Sequence, residues 1–136
     1  SLHDALPIWL VLNEAKTFRN AKHRQRLQTD PVFAMCKRLR KRLRESMVKR
    51  HLVRDKLLAE VLGCTYDELR KYMEAKFSVG MSWGNMHLWH IDHIIPLATA
   101  NTLDEVYKLN HYSNLQPLWA LDNLKKNARL PDRFAV

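Results

Sequence analysis

Three short stretches decide how this chain reads: Trp89-His90-Ile91-Asp92-His93-Ile94-Ile95-Pro96, then Ser113-Asn114-Leu115-Gln116-Pro117-Leu118, then Asp122-Asn123-Leu124-Lys125-Lys126-Asn127. Asp92 and Asn123 offer hard oxygen ligands suited to Mg²⁺ or Mn²⁺. His93 offers a base whose ordinary pKa, about 6.5, lies close to working pH. From Asp92 to Asn123 is 32 residues, and within them lie an oxygen pair, a base and positioned amides. Those are the parts that metal-assisted cleavage of a phosphodiester requires: a water, a group to take its proton, and a cation to stabilise charge on the phosphate and leaving oxygen. In an extended strand neighbouring side chains point to opposite faces, so Asp92 and His93 share a site only if the backbone turns there, and Pro96 makes such a strand end plausible.

Around these stretches the texture is β-like. Gly84, Pro96 and Pro117 interrupt helices, and β-formers cluster over Trp89 to Ile95 and Leu115 to Trp119. A short connecting helix is expected over Thr102 to Asn110 and a final one over Ala120 to Arg129, in the order strand, insertion, strand, helix. Upstream the chain is helical. Asp30-Pro31 starts a helix to about residue 50, with apolar positions at Val32, Cys36, Leu39, Leu43 and Met47. A second helix over about 55 to 62 ends at Gly63, suited to a left-handed cap. Thr65 and Glu68 form a capping box opening a helix to about Phe77, with Leu69, Tyr72, Met73 and Phe77 inward.

Charge is unevenly placed. Residues 16 to 54 hold 14 of the 23 Lys and Arg against Asp30 and Glu45, a balance of +12, which leaves −3 for the rest of a chain of net charge +9. The other face of the 31–50 helix carries Arg38, Arg40, Lys41, Arg42 and Arg44. Such a face is commonly just solvated, but its near lack of acids points to DNA backbone contact, which positions without reading sequence. Lys125 is the matching contact on the last helix. Length and an apolar fraction of 46% give one compact unit with a helical extension. Two cysteines, Cys36 and Cys64, cannot make a four-ligand zinc frame and read as buried thiols in a reducing cytosol. No apolar run spans a bilayer, and Leu6 to Leu12 is too short for a signal peptide. Ser1 to Ile8 matches one frame of a sequencing-library adapter, so these eight residues are expected to be non-native and the native chain to begin upstream of Trp9.

On the motifs W-H-I-D-H-I-I-P-L, H-Y-x-N-L-Q-P-L and D-N-L-x-K, the chain resembles the HNH endonucleases of the ββα-metal superfamily, in their phage-type branch. The resemblance covers roughly residues 63 to 130. It implies a ββα fold with two short antiparallel strands clamping the metal against a C-terminal helix; with the helical reading above, the expected fold is α+β, a basic helical region, 9–62, followed by an HNH nuclease domain, 63–136. It further implies that His93 is the general base, that Asp92 and Asn123 hold one divalent cation, that Asn114 holds the histidine through its amide, and that Lys126 lies near the scissile phosphate. His90, two residues before Asp92, is a further candidate ligand or phosphate contact, and otherwise a packing residue. The expected activity is hydrolysis of DNA to 5′-phosphate and 3′-hydroxyl ends, with Mg²⁺ as the first-choice cation and Mn²⁺ or another transition metal as alternatives, in the cytoplasm of a bacterial or phage-infected cell. Phage or host proteins are further partners, a membrane is not, and oligomeric state stays open. Two departures stand out: Asn127 occupies a position that is commonly glycine, and the stapling cysteine pairs of many HNH domains are absent. The rival readings are a DNA-binding module without turnover, and a ribonuclease or structure-specific nuclease on the same scaffold. Trp89 and Trp119 read as core rather than base-stacking residues, His87 and His111 as surface or helix-end residues, and the Lys125–Lys126 pair alternatively as solvated charges at a helix end.

Overall fold

The computed structural model describes the backbone of residues 5–134 and the side chains through Asn127. Residues 1–4 of the adapter-like stretch lie outside the described residues. The architecture is α+β: helices α1 (Ile8–Thr29), α2 (Pro31–Lys49), α3 (Leu58–Leu62) and α4 (Tyr66–Ala75), strand β1 (Trp89–His93), helix α5 (Leu103–Leu109), strand β2 (Leu115–Trp119) and helix α6 (Ala120–Phe134). Packing divides the chain into residues 1–35 and residues 36–136.

In the first unit, α1 buries none of its residues. Asp30 caps α2 by accepting from the Phe33 amide at 3.0 Å. That amide holds the Asp30 carboxyl below its ordinary range, with Arg26 assisting. The guanidinium of Arg26 also lies over the Phe33 ring at 4.1 Å.

In the second unit, four positions of the α2 stripe, Cys36, Leu39, Leu43 and Met47, are buried, the i, i+3, i+4 pattern of a helix with one apolar face, while Val32 at its start, in the first unit, is half-buried. They share the core with Leu58, Val61 and Leu62 of α3, Leu69 and Met73 of α4, Trp89 and Ile91 of β1, Val106 of α5 and Leu115 of β2. Truncating the fully buried Leu43 to alanine should cost about 2–5 kcal/mol. Phe77, Trp83 and Trp89 meet edge to face with centroids 5.2–5.5 Å apart, which makes Trp89 a core residue. Trp119 is half-buried.

Several boundaries differ from the sequence reading, each for a local reason. α3 begins at Leu58 rather than near 55 because Asp55 is held elsewhere: its amide donates to the Tyr107 hydroxyl at 3.0 Å and its carboxylate accepts from that hydroxyl at 2.6 Å. α4 stops at Ala75 because Lys76 and Phe77 bond back only three residues, to Met73 and Glu74. The predicted caps are present: Gly63 is left-handed at φ 73°, and Thr65 and Glu68 complete the capping box. A Cβ at Gly63 would also meet His111 Nε2 at 2.6 Å, so two separate constraints select glycine there.

The sheet is one antiparallel pair in which Trp89 faces Trp119, Ile91 faces Pro117, Asp92 faces Gln116 and His93 faces Leu115. With only two strands Pro117 can sit on an outer edge, where its missing N–H breaks no ladder bond. β1 ends at His93, two residues before the expected Ile95, and the chain turns through Leu97–Thr99. Arg50 at the end of α2 donates to the carbonyls of Ala100 at 2.7 Å and Ser46 at 2.9 Å, and to that of Leu97. This holds the turn in place with a charged fork. Among the described residues no helix is long and apolar enough to cross a membrane.

Candidate active site

The end of β1 and the start of α6 build one cavity of about 280 Å³, lined by Asp92, His93, Asn123, Lys126 and Arg42, with Pro96, Leu97 and Ala98 of the turn as its wall. The strand end thus resolves the geometric question raised by the sequence: Asp92 and His93, adjacent in a strand, are both buried and both line this cavity.

His93 donates Nε2–H to Asn110 Oδ1 at 2.9 Å. The direction is set by Asn110, whose own Nδ2 is committed to the Val106 carbonyl at 2.8 Å, leaving its oxygen for the ring. The proton is therefore on Nε2, and Nδ1 carries the free lone pair. Burial pushes the imidazole below its ordinary value, with Arg42 and Lys126 adding repulsion and Asn110 and Asp92 opposing. The ring stays neutral and basic at neutral pH.

Asp92 accepts from Gln116 Nε2 at 2.9 Å, its cross-strand partner, and from Lys126 Nζ at 2.7 Å, both on Oδ2. Lys126 also donates to the His93 carbonyl at 2.7 Å and the Ile94 carbonyl at 3.2 Å. Its ammonium thus ties α6 to the end of β1. Lys126 stands three residues after Asn123, on the same helical face. Lys125, by contrast, is exposed and outside the cavity.

Asn123 is buried and donates Nδ2 to His90 Nδ1 at 2.9 Å. His90 is held below its ordinary value by burial first, then by Arg42 and Arg38. His90 is among the residues bordering a second cavity and not among those lining the one with Asp92 and His93.

Asn114 does not hold the imidazole. Its amide accepts from the Ile95 N–H at 2.9 Å and donates to the Ile95 carbonyl at 3.0 Å and the Leu109 carbonyl at 2.7 Å. It pins the backbone two residues past His93, because it sits where the turn before β2 meets the end of β1. The residue on the ring is Asn110, which the sequence reading missed, as it missed Gln116. Both carried a signal: Asn110 is the polar residue ending the α5 pattern, and Gln116 stands opposite Asp92 once the strands are paired.

The basic residues of α2 divide. Arg38, Lys41 and Arg42 border the second cavity, about 300 Å³, with Glu45, Met86, His87 and His90. Arg40, Lys41 and Arg44 border a larger groove floored by Met47, Val48, Leu52 and Val53. Arg42 lines both the first and second cavities, and burial holds its guanidinium below its ordinary value, with Asp92 opposing and Arg38 adding repulsion.

Among the described residues no group of three or more His, Cys, Asp or Glu is arranged to hold a metal ion. The oxygen pair Asp92 and Asn123, facing one cavity, is a smaller set whose donors suit a hard cation that keeps waters of its own.

No family model matches the chain, and no solved structure matches it. Over 119 residues, 85% of the chain, it is 34% identical to uncharacterized protein L426 of Acanthamoeba polyphaga mimivirus, and over 106 residues, 76% of the chain, it is 31% identical to uncharacterized protein L246 of the same virus. The chain spans about half the length of these curated relatives, 52% and 46% respectively.

Proposed function

We propose that this chain is a metal-dependent endonuclease of the HNH type, with a ββα-metal core formed by β1, β2 and α6, and that it hydrolyses DNA phosphodiester bonds. The observation that carries this reading is the single cavity shared by a neutral, amide-anchored His93, by Asp92 and Asn123, and by the cations Arg42 and Lys126. Asp92 and Asn123 would hold a divalent cation, Mg²⁺ first. When bound, that ion supplies charge stabilisation to the phosphate and the departing oxygen.

The protein's own groups divide the remaining work. His93 Nδ1 takes a proton from water as the water oxygen bonds to phosphorus. The bond from phosphorus to the 3′-oxygen breaks, leaving a 5′-phosphate and, after protonation from solvent, a 3′-hydroxyl. Asn110 holds the ring through Nε2 and leaves Nδ1 as the basic nitrogen, and Asn114 fixes the backbone that carries it. Arg42 faces the phosphate's negative oxygens. Lys126 holds Asp92 and the end of β1 together from within the same cavity.

One observation favours a second reading, a DNA-binding module without turnover. Lys126 and Gln116 both engage Oδ2 of Asp92, so the carboxylate is already neutralised from within. The two readings part in one experiment: supercoiled plasmid incubated with the protein in Mg²⁺, Mn²⁺ or EDTA, beside His93→Ala. Metal-dependent nicking or linearisation that the variant loses supports the nuclease. Salt-sensitive binding without cleavage in any metal supports the module, and equal cleavage by His93→Ala overturns the assignment of the base.

A further inference from the structure

The second cavity shares only Arg42 with the site described above, yet it is more cationic than the first. We propose that it is a phosphate subsite, and that Arg38, Arg42 and His87 grip a backbone phosphate of the nucleic-acid strand being cut, one to two nucleotides from the scissile bond. This rests on the nuclease reading and deepens it.

Three observations carry it. The cavity is bordered by Arg38, Lys41 and Arg42 with His87 and His90, against one acid, Glu45, and that acid is already paired with Lys41 at 3.8 Å. Both guanidiniums are tethered on one arm: Arg38 Nη1 donates to the Met86 carbonyl at 3.1 Å, and Arg42 Nη1 donates to the Ile91 carbonyl. A solvated surface arginine must lose rotamer freedom to bind an anion, whereas these two forks are already placed with donors remaining. The third observation is register. His90 and Ile91 border this cavity while Asp92 and His93 border the catalytic one. Two residues of strand advance about 6.6 Å, and a nucleic-acid strand rises about 3.4 Å per nucleotide. Arg42, lining both cavities, bridges the two phosphates.

The test uses the full chain in the His93→Ala background with EDTA, so that binding is read without turnover, and a 20-base-pair DNA duplex as probe. Arg38→Gln should weaken binding about tenfold and lower the slope of log affinity against log salt by about 0.9, one phosphate contact. Lys108→Gln, which removes an equal charge from α5, should do neither. Matching melting temperatures verify that both variants fold. A single neutral methylphosphonate, placed one or two nucleotides from the cut mapped with the parent, should weaken the parent by a similar factor and add nothing to Arg38→Gln.

Indistinguishable effects of Arg38→Gln and Lys108→Gln, or methylphosphonate and Arg38→Gln losses that add in full, would overturn the subsite while leaving the nuclease standing. A parent that binds without cutting overturns the nuclease reading, and the salt slopes still decide the subsite. A parent that ignores DNA but binds phosphatidylserine vesicles through Arg38 overturns both.

Discussion

Two cavities lie in succession along β1, sharing Arg42, and they are built on opposite principles. In the first cavity Asp92, His93 and Asn123 are buried and each is locked to another protein group: ring to Asn110, carboxylate to Gln116 and Lys126, Asn123 to His90. In the second cavity the Arg38 and Arg42 guanidiniums are each tethered through Nη1 to one backbone carbonyl and keep further donors. Locking suits chemistry, which needs a fixed proton acceptor and a defined oxygen pair. Tethering suits grip, which needs charge in roughly the right place. On the proposed nuclease reading turnover belongs to the first cavity and affinity to the second, and substitutions in each cavity either separate those quantities or show that they are one.

The largest effect belongs to His93. His93→Ala should lower turnover about 10²- to 10⁴-fold, the usual contribution of a general base, while the dissociation constant for DNA measured in EDTA stays within about twofold. An equal fall in affinity would erase the division between the cavities. Asp92→Asn comes next. It should abolish Mn²⁺ binding in a calorimetric titration and remove metal-dependent cleavage, as chelation does, yet it should hold DNA at least as well as the parent because it removes a negative charge beside Arg42. Weaker DNA binding by this variant would make Asp92 a grip residue.

Asn110 tests whether locking matters. Asn110→Ala leaves a buried Nε2–H without its acceptor, which should cost about 1–3 kcal/mol of stability and lower turnover without changing DNA affinity. Asn110→Asp is the sharper variant. A carboxylate facing Nε2–H stabilises the imidazolium, so the pKa of His93 rises and the acid limb of the rate profile moves to higher pH. A rate profile that does not move would show that the ring does not titrate as the base.

Features governed by spacing alone were legible in the sequence. α2 could be read from one apolar stripe and Asp30-Pro31, α4 from its capping box, and β2 from a run bounded by turn residues, because each rests on local rules. Asp92, His93, Asn123 and Lys126 could be placed together through the motif resemblance, and the antiparallel β1–β2 pair with the start of α6 brings them to one cavity. The partner of the imidazole could not. Asn110 and Asn114 are both asparagines at the approach to β2, and which one meets the ring depends on how the α5 end packs under β1, a tertiary fact with no period. The same holds for Arg50 and Arg38. In the sequence they are two more charges in a basic run, while in the fold they bind carbonyls of the 97–100 turn and of Met86. Composition counts charges without saying which are spent on the protein itself.

The smallest expected effect is also the most direct reading of burial in the first cavity. His93 is held below its ordinary pKa of 6.5, chiefly by desolvation. Above pH 6.5 both the folded and unfolded imidazoles are neutral, and the native interactions of the ring contribute in full. As pH falls from 6.5 through the folded value, the unfolded chain binds a proton that the folded chain refuses, so stability drains in that window and levels off below it. His90 acts in the same direction, so the parent alone does not isolate the effect. His93→Gln keeps an N–H donor for Asn110 but has no proton to bind. Urea denaturation of both proteins at pH 8, 6.5, 5.5 and 4.5 should therefore show the parent losing more stability below pH 6.5 than the variant. Parallel curves would mean that the cavity does not hold the ring neutral. The chemical half of the contrast would then lose its base, while the grip around Arg38 would stand unaffected.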